Sequence, residues 1–137
     1  MGRWGSANFD GLKKLDQSLN DMRSSDLECI LRETCSDLST KLMIAAKKNT
    51  PVGKTGRLVR GFKISDVMKK SGMYSQVVSN DVSYARPVEF GHKRRGGNGF
   101  VVGRFMLKRA TDDAKAQAPT HAKKALRGFL GDRFNDR

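Results

Sequence analysis

The sequence is poor in the residues on which catalysis and metal binding most often depend. Of its 137 residues, only two are histidine and two are cysteine. His92 and His121 lie far apart, and no serine or cysteine precedes them in an order typical of a nucleophile with its base. The 14 acidic residues are scattered, with no spacing typical of metal ligands. We therefore expect no catalytic site, no bound metal and no cofactor.

Large apolar residues are also scarce. Aromatic residues make up 7% of the chain and hydrophobic residues 37%. No apolar run approaches the roughly 20 residues that a membrane-spanning helix needs, so we expect no contact with membranes. A chain of this length forms one domain, residues 1–137, and its core would be thin for a monomer. We expect part of its stability to come from self-association.

The two cysteines indicate free thiols. Cys29 and Cys35 are six positions apart on a predicted helix, which places them about 9 Å apart along its axis. This separation is too large for ordinary disulfide geometry. We expect free, buried thiols in a reducing cytoplasm. Because no apolar segment typical of a signal peptide is present, we also expect the protein to be made in the cytoplasm and to stay there.

Basic residues greatly outnumber acidic ones. The chain has 27 Lys and Arg and a formal net charge of +13, which attracts nucleic acid, acidic protein surfaces or anionic lipid. The densest cluster, here called the basic loop, lies within the glycine-rich residues 91–99. We expect these residues to form a flexible arm that orders on an acidic partner or on DNA phosphates; a solvated hairpin-like loop is the alternative. The cations of the basic loop are His92 (when protonated), Lys93, Arg94 and Arg95.

Apolar periodicity predicts two principal helices. The first begins near Ser25, where Ser25 and Glu28 have capping-box spacing, and continues for about 24 residues before Pro51. The second follows Gly103, and we expect Pro119 to interrupt or kink it. Residues 1–10 are expected to be an N-terminal arm, followed by a short helix over 11–22. The apolar face of the first long helix comprises Leu27, Ile30, Leu31, Cys35, Leu38, Leu42 and Ala45.

Alternation of apolar and polar residues predicts strands between these helices. The predicted strands are Leu58–Met68, Met73–Ser79 and Val82–Phe90, with Phe100–Val102 as a short fourth. We expect Asn80 and Asp81 to form a hairpin connection, and Pro87, which has no N–H, to place its strand at a sheet edge. The fold class is therefore α+β: an antiparallel β-meander of three to four strands packed against a long N-terminal helix and a C-terminal helix.

The segment 49–57 is predicted to be a loop. Gly53, Lys54 and Thr55 resemble the end of a phosphate-binding P-loop, but Lys48 stands where that motif requires glycine. The segment also follows a predicted helix, whereas a P-loop follows a strand. We interpret it as a turn in which glycine permits unusual backbone angles.

Two motifs resemble a known family. Thr50-Pro-Val-Gly-Lys-Thr-Gly-Arg-Leu58 and Tyr84-Ala-x-x-Val-Glu-Phe-Gly91 are followed by Gly103-Arg-Phe-Met-Leu107 at the start of a helix. This order is similar to the tail-component family of tailed bacteriophages, which are small tail-completion, neck or head–tail joining proteins. The resemblance extends over roughly residues 11–118. The chain departs from it at Arg86-Pro87, Val101-Val102 and Pro119, which affects element boundaries more than function.

The resemblance implies a structural virion protein without enzymatic activity. Such a protein would form a homo-oligomeric ring, a hexamer, at the end of the tail tube. Its partners would be further copies of itself, the tail-tube and head-connector proteins, and DNA contacted without sequence specificity. It would reside in the virion tail or neck, and in the host cytoplasm during assembly. The predicted interface residues are Thr50, Pro51, Thr55, Gly56, Arg57, Leu58, Tyr84, Ala85, Val88, Glu89, Phe90 and Gly91.

Two questions stay open at the level of sequence. Glu89 could form an exposed surface ion pair, or an inter-subunit ion pair with Arg57 or Arg94. The alternative function is a basic nucleic-acid-binding protein without catalytic activity, which the charge supports. No helix-turn-helix, zinc-finger or RNA-recognition pattern accompanies that charge.

Overall fold

The computed structural model describes residues 24–135. The predicted N-terminal arm over 1–10 and short helix over 11–22 lie outside the described residues. The elements, in chain order, are α1 (Ser24–Asn49), α2 (Arg57–Arg60), β1 (Phe62–Ile64), β2 (Met68–Lys70), β3 (Met73–Ser75), β4 (Val78–Asn80), α3 (Ala85–Phe90), β5 (Gly91–Lys93), β6 (Phe100–Val102) and α4 (Met106–Asn135). The predicted α+β class, with antiparallel strands between a long N-terminal and a C-terminal helix, is confirmed.

Helix α1 confirms the prediction from periodicity. Its 26 residues carry Asp26 in the first turn and Lys47 and Lys48 in the last, charges that favour the helix dipole. Both cysteines are free, as predicted, but Cys29 is exposed and Cys35 is only partly covered. The expectation of buried thiols was wrong because no residue between 26 and 45 of this helix is fully buried.

Strands β1 to β4 form one long, bent hairpin. β1 pairs with β4 and β2 pairs with β3, both antiparallel. Ser71 and Gly72 make the two-residue turn at its end, with φ of 50° and 77°. At the bend, the N–H of Ser65 donates to the carbonyl of Val77 at 2.9 Å. The two predicted strands around this turn are therefore present, each divided into two short pieces.

The first predicted strand begins too early. Residues Arg57–Arg60 form the short helix α2, and the strand starts only at Phe62. Gly56 precedes α2 with φ 59° and ψ 13°, a left-handed conformation that turns the chain. The turn buries Leu58, which is 4% exposed, and an extended chain would not place it there.

The third predicted strand, Val82–Phe90, is wrong. Ala85–Phe90 form helix α3 instead, and Asn80 and Asp81 lead into it without making a hairpin connection. Ala85 and Glu89 are both buried, and their spacing of four residues is the helical one. Tyr84 and Phe90, which created the apparent alternation, are exposed. Pro87 lies in the first turn of α3, where its missing N–H leaves no helical hydrogen bond unmade.

Strands β5 and β6 form a separate two-stranded ribbon. Gly91 pairs with Val102, and Lys93 with Phe100, so the expectation that 91–99 contains no regular element was wrong at its start. The short strand predicted at Phe100–Val102 is confirmed, but its partner is β5 and not the long hairpin. Every residue from His92 to Val102 is exposed. We call this element, residues 91–102, the ribbon.

Helix α4 is 30 residues long and continues through Pro119. The predicted interruption there is wrong, because α4 packs against α1 on both sides of the proline. Before it, Ala110 is fully buried beside Ala46, and small side chains allow the two helices to approach closely. After it, Nζ of Lys41 lies 2.8 Å from Nε2 of His121.

Among the residues that the structure describes, the core consists of two small clusters. One joins α1, α4 and the long hairpin through Ala46, Ala110 and Phe62. The other joins α2, α3 and the start of α4 through Leu58, Ala85 and Met106. Within residues 24–135, none of the helices has the length and apolar composition needed to cross a membrane.

Candidate functional site

The two sequence motifs meet in space. Leu58 of the first motif, Ala85 of the second and Met106 at the start of α4 are buried together. Val82 and Val88 are packed against them. The motifs therefore build a junction, which we call the motif junction, where α2, α3 and α4 come together.

Thr50 opens the first motif by ending α1. Its side chain is buried, and its hydroxyl donates to the carbonyl of Ala46 at 2.6 Å. Three residues on, Gly53 accepts a hydrogen bond of 3.0 Å from the N–H of Gly56, closing the turn. The carbonyl of Thr55 accepts from the guanidinium of Arg60. These contacts turn the chain from α1 into α2 and aim Leu58 at the motif junction.

Asn80 links the long hairpin to the motif junction, a role that the sequence pattern did not predict. Its side-chain amide donates to the carbonyl of Leu58 at 2.8 Å, and its side-chain oxygen accepts from the N–H of Val82 at 3.0 Å. Gly61 leaves room for it: a Cβ there would lie 2.7 Å from the Asn80 oxygen and 2.5 Å from a Val82 methyl group. The carbonyl that Asn80 binds belongs to a residue 22 positions earlier, so no local sequence signal pointed to this role.

Glu89 is the central polar residue of the second motif. It is 6% exposed, and its two carboxylate oxygens accept from the backbone N–H groups of Leu107 and Lys108, each at 3.0 Å. These N–H groups lie in the first turn of α4 and have no partner within the helix, so a carboxylate there is favoured by both hydrogen bonding and the helix dipole. The predicted surface or inter-subunit ion pair with Arg57 or Arg94 is therefore replaced by an intramolecular helix cap.

The main chain reinforces this cap. The N–H of Arg104 donates to the carbonyl of Val88 at 2.8 Å, and that of Phe105 to the carbonyl of Glu89 at 3.1 Å. Gly103 is needed for the approach, because a Cβ there would lie 2.2 Å from the Glu89 carbonyl oxygen. Gly91 has φ 87°, and a Cβ there would lie 2.4 Å from the carbonyl oxygen of Val101. The end of α3, the base of the ribbon and the start of α4 are thus in close backbone contact.

The structure divides the predicted interface residues by exposure. Four are buried and belong to the internal packing of the motif junction or the end of α1: Thr50, Leu58, Ala85 and Glu89. Four are partly covered: Pro51, Gly56, Val88 and Gly91. Four are exposed and available to a partner: Thr55, Arg57, Tyr84 and Phe90.

The basic loop begins in β5 and continues into the free end of the ribbon. His92, Lys93, Arg94 and Arg95 are all exposed. The N–H of Arg94 donates to the carbonyl of Gly99 at 2.9 Å, which closes the tip. The cations therefore project from the body of the protein on a short two-stranded support.

Exposed groups on α1 and β2 perturb one another electrostatically. Lys69 forms an ion pair with Glu28; its hydrogen bond and its charge lower the pKa of that carboxyl, and Glu28 raises the pKa of Lys69 in return. Glu33 accepts a hydrogen bond from the Cys29 thiol and raises its pKa. Across residues 24–135, no three His, Cys, Asp or Glu side chains come together to hold a metal ion.

Comparison with known proteins places the motifs in a family. Residues 12–91 match the profile of the HK97-gp10-like family, described as a bacteriophage tail component. The match covers more than half of the chain and includes both motifs. The search of curated proteins and the search of solved structures each found no match. The chain therefore belongs to the HK97-gp10-like family of bacteriophage tail components.

Proposed function

We propose that this structural tail component completes the tail or joins it to the head, as a homo-oligomeric ring at the end of the tail tube. Sixfold symmetry would match the tail tubes of long-tailed phages. The protein would act by binding and geometry, without catalysing a reaction. The observation that carries this proposal is the ribbon, which is exposed from His92 to Val102 on a member of a tail-component family.

The ribbon has the features of an element that a partner would stabilise. An isolated two-stranded hairpin is marginally stable in water, and no layer of the described residues covers either of its faces. Its strands expose Phe100 and Val102, and the adjoining end of α3 exposes Phe90. Apolar side chains grouped on a projecting element are typical of protein–protein contact sites.

The core supports the same interpretation. Within the segment 24–135, the buried hydrophobic residues form only the two clusters described above. A protein with so small a core gains stability when association covers further apolar surface. In the ring, tail-tube and connector proteins would contact the exposed loops, and basic side chains lining a channel would hold DNA phosphates without reading sequence.

The proposal is tested by removing the gene from the phage. Electron microscopy of the resulting lysate should show full heads separate from tails if the protein acts at the head–tail joint. Tails of irregular length would support termination of the tube. Intact, infectious particles would overturn the proposal. The purified protein, examined by native mass spectrometry, should show a closed oligomer, and six copies would match the tail tube.

A second candidate function is binding of nucleic acid by the free protein. Residues 114–131 of α4 carry four cations and no acidic residue: Lys115, Lys123, Lys124 and Arg127. Binding through phosphate contacts weakens steeply as salt rises. Tight, salt-dependent binding of duplex DNA by the monomer, together with normal virions from the deletion phage, would favour this function over the ring.

A further inference from the structure

One face of the ribbon combines apolar and cationic side chains. Directly opposed residues of paired strands project to the same face, so Lys93 lies on the same face as its partner Phe100. Val102, two residues further along β6, shares that face because side chains alternate along a strand. Phe100 is 59% and Val102 74% exposed. This face therefore carries Lys93 and Phe100 side by side at one level, and Val102 at the next level towards the base.

Helix α1 presents a surface of opposite charge. Residues 26–37 contain four acidic residues and a single cation, Arg32, in a chain whose net charge is +13. Glu33 and Asp37 are exposed, and neither has an ion pair within the described part of the chain. They are four positions apart on one helix face, where like charges repel, and Lys41, four positions beyond Asp37, contacts His121 of α4.

The same face of α1 continues with an exposed apolar residue. Ile44 follows Asp37 by seven positions, two helical turns, and is 59% exposed. The distance from Asp37 to Ile44 along the helix axis is about 10 Å. On the ribbon, the level of Lys93 and Phe100 lies two residues, about 7 Å, from the level of Gly91 and Val102. The two surfaces therefore carry charges of opposite sign, each beside exposed apolar side chains.

We infer that the ribbon of one copy docks on the exposed face of α1 of the next copy. Lys93, Arg94 and Arg95 would face Glu33 and Asp37, and the apolar base of the ribbon would cover Ile44. The two surfaces are different parts of the same chain, so the contact is head-to-tail, the type of contact that generates a ring when its rotation closes. This inference rests on the proposed homo-oligomer and specifies which surfaces form it.

Charge reversal and its compensation test the contact. In one variant, Lys93, Arg94 and Arg95 are replaced by Glu; in the other, Glu33 and Asp37 are replaced by Lys. Each variant alone should raise the protein concentration at which the oligomer dissociates more than tenfold, because like charges then meet at the interface. A mixture of the two variants should reassociate. Sedimentation velocity at several protein concentrations measures all three samples.

A matched control separates the contact from net charge. Replacing Lys123, Lys124 and Arg127 of α4 by Glu makes the same change in net charge without altering any residue of the two proposed surfaces. This variant should assemble like the unmodified protein. Circular dichroism of every variant confirms that the helices are retained.

Cysteine cross-linking tests directly whether the two surfaces lie close together in the oligomer. In a background with Cys29→Ser and Cys35→Ser, one protein carries Arg95→Cys and a second carries Asp37→Cys. Mixed under mild oxidation, they should form a disulfide-linked pair that contains one chain of each. A protein carrying Lys54→Cys, mixed with the Asp37→Cys protein, serves as the control and should not form such a pair.

The outcomes distinguish this inference from the proposed function. An oligomer that forms normally in both reversal variants would overturn the inference and leave the ring standing. A protein that stays monomeric at all concentrations would overturn both. Reversal at the ribbon that abolishes DNA binding and leaves assembly intact would overturn the inference in favour of a nucleic-acid contact.

Discussion

The carboxylate of Glu89 accepts a hydrogen bond from the backbone N–H of Leu107, 3.0 Å away across 18 residues of chain. Lys108 donates to the other carboxylate oxygen at the same distance. A residue of the Y-A-x-x-V-E-F-G motif therefore fixes the start of the C-terminal helix, and the ribbon lies between the two partners. The motif acts first inside the subunit, by holding in place the base from which the ribbon projects.

Replacing Glu89 tests the cap. Glu89→Ala leaves two N–H groups of α4 without acceptors in a buried place, and we expect it to lower the free energy of unfolding by about 2–3 kcal/mol. Glu89→Gln keeps one acceptor oxygen and should lose less. Urea unfolding followed by circular dichroism at 222 nm measures both variants. Equal stability of Glu89→Ala and the unmodified protein would contradict the role.

Gly103 should not tolerate a side chain. Its Cβ would lie 2.2 Å from the carbonyl oxygen of Glu89, so Gly103→Ala must displace backbone and should cost at least about 2 kcal/mol. Gly53→Ala is the matched control, since no atom lies within 4 Å of a Cβ at that position. Thermal unfolding should show a lower midpoint for the first variant and an unchanged or slightly higher one for the second.

Pro119 is expected to reduce stability. Inside a helix, proline removes one backbone hydrogen bond and costs up to about 3 kcal/mol relative to alanine. Pro119→Ala should therefore raise the free energy of unfolding, with little change in helix content because α4 already continues through this position. Ala122→Ser, at an exposed position of the same helix, is a control expected to change little. A loss of stability in Pro119→Ala would show that the proline is required.

The thiol of Cys29 should react slowly. Its pKa is raised by the hydrogen bond and charge of Glu33, so less thiolate is present at pH 8 than for an ordinary cysteine. Glu33→Gln should lower that pKa and speed alkylation by iodoacetamide. The comparison is made in a Cys35→Ser background, by mass spectrometry over a range of pH. Identical rate profiles with and without Glu33 would contradict this prediction.

The ion pair between Glu28 and Lys69 should add a pH-dependent contribution to stability. Because the pKa of Glu28 is lowered in the folded protein, the contribution is present above its unfolded value and is lost as pH falls through the folded one. The raised pKa of Lys69 sets the opposite limit: the contribution is lost as pH rises through that folded value. Both groups are exposed, so the effect should be small and should shrink in high salt. Glu28→Gln should be less stable at pH 7 and indistinguishable from the unmodified protein well below pH 4.

Long periodic segments could be predicted from the sequence because many residues carry the signal. The apolar face from Leu27 to Ala45 predicted α1 closely, although part of that face is covered less than expected. Short segments could not be predicted in this way. Between residues 82 and 90, the alternation of Tyr84 and Phe90 outweighed the helical spacing of Ala85 and Glu89, and only tertiary packing decides between them.

The role of Glu89 could not be predicted from the local sequence pattern, for a related reason. Its carboxylate oxygens accept hydrogen bonds from backbone N–H groups that lie 18 and 19 residues further along the chain. Because every non-proline residue carries such a group, the sequence does not single out these two. A charged residue in a strand-like pattern looks exposed until its partner is located. Pro119 is a second case in which local sequence was not sufficient. The effect of proline on a helix predicted a break, but α4 contacts α1 before and after this position and continues.

The close approach of Gly91 and Gly103 makes the ribbon a replaceable module. A Cβ on Gly103 would lie 2.8 Å from the backbone nitrogen of Gly91, so the chain leaves and re-enters the body at nearly one point. The entropy of closing a loop between two fixed points grows only slowly with its length. We expect that the ribbon can therefore be lengthened, shortened or exchanged while α3 and α4 keep their positions, so that the sequence of this exposed element can vary without a change in the rest of the fold.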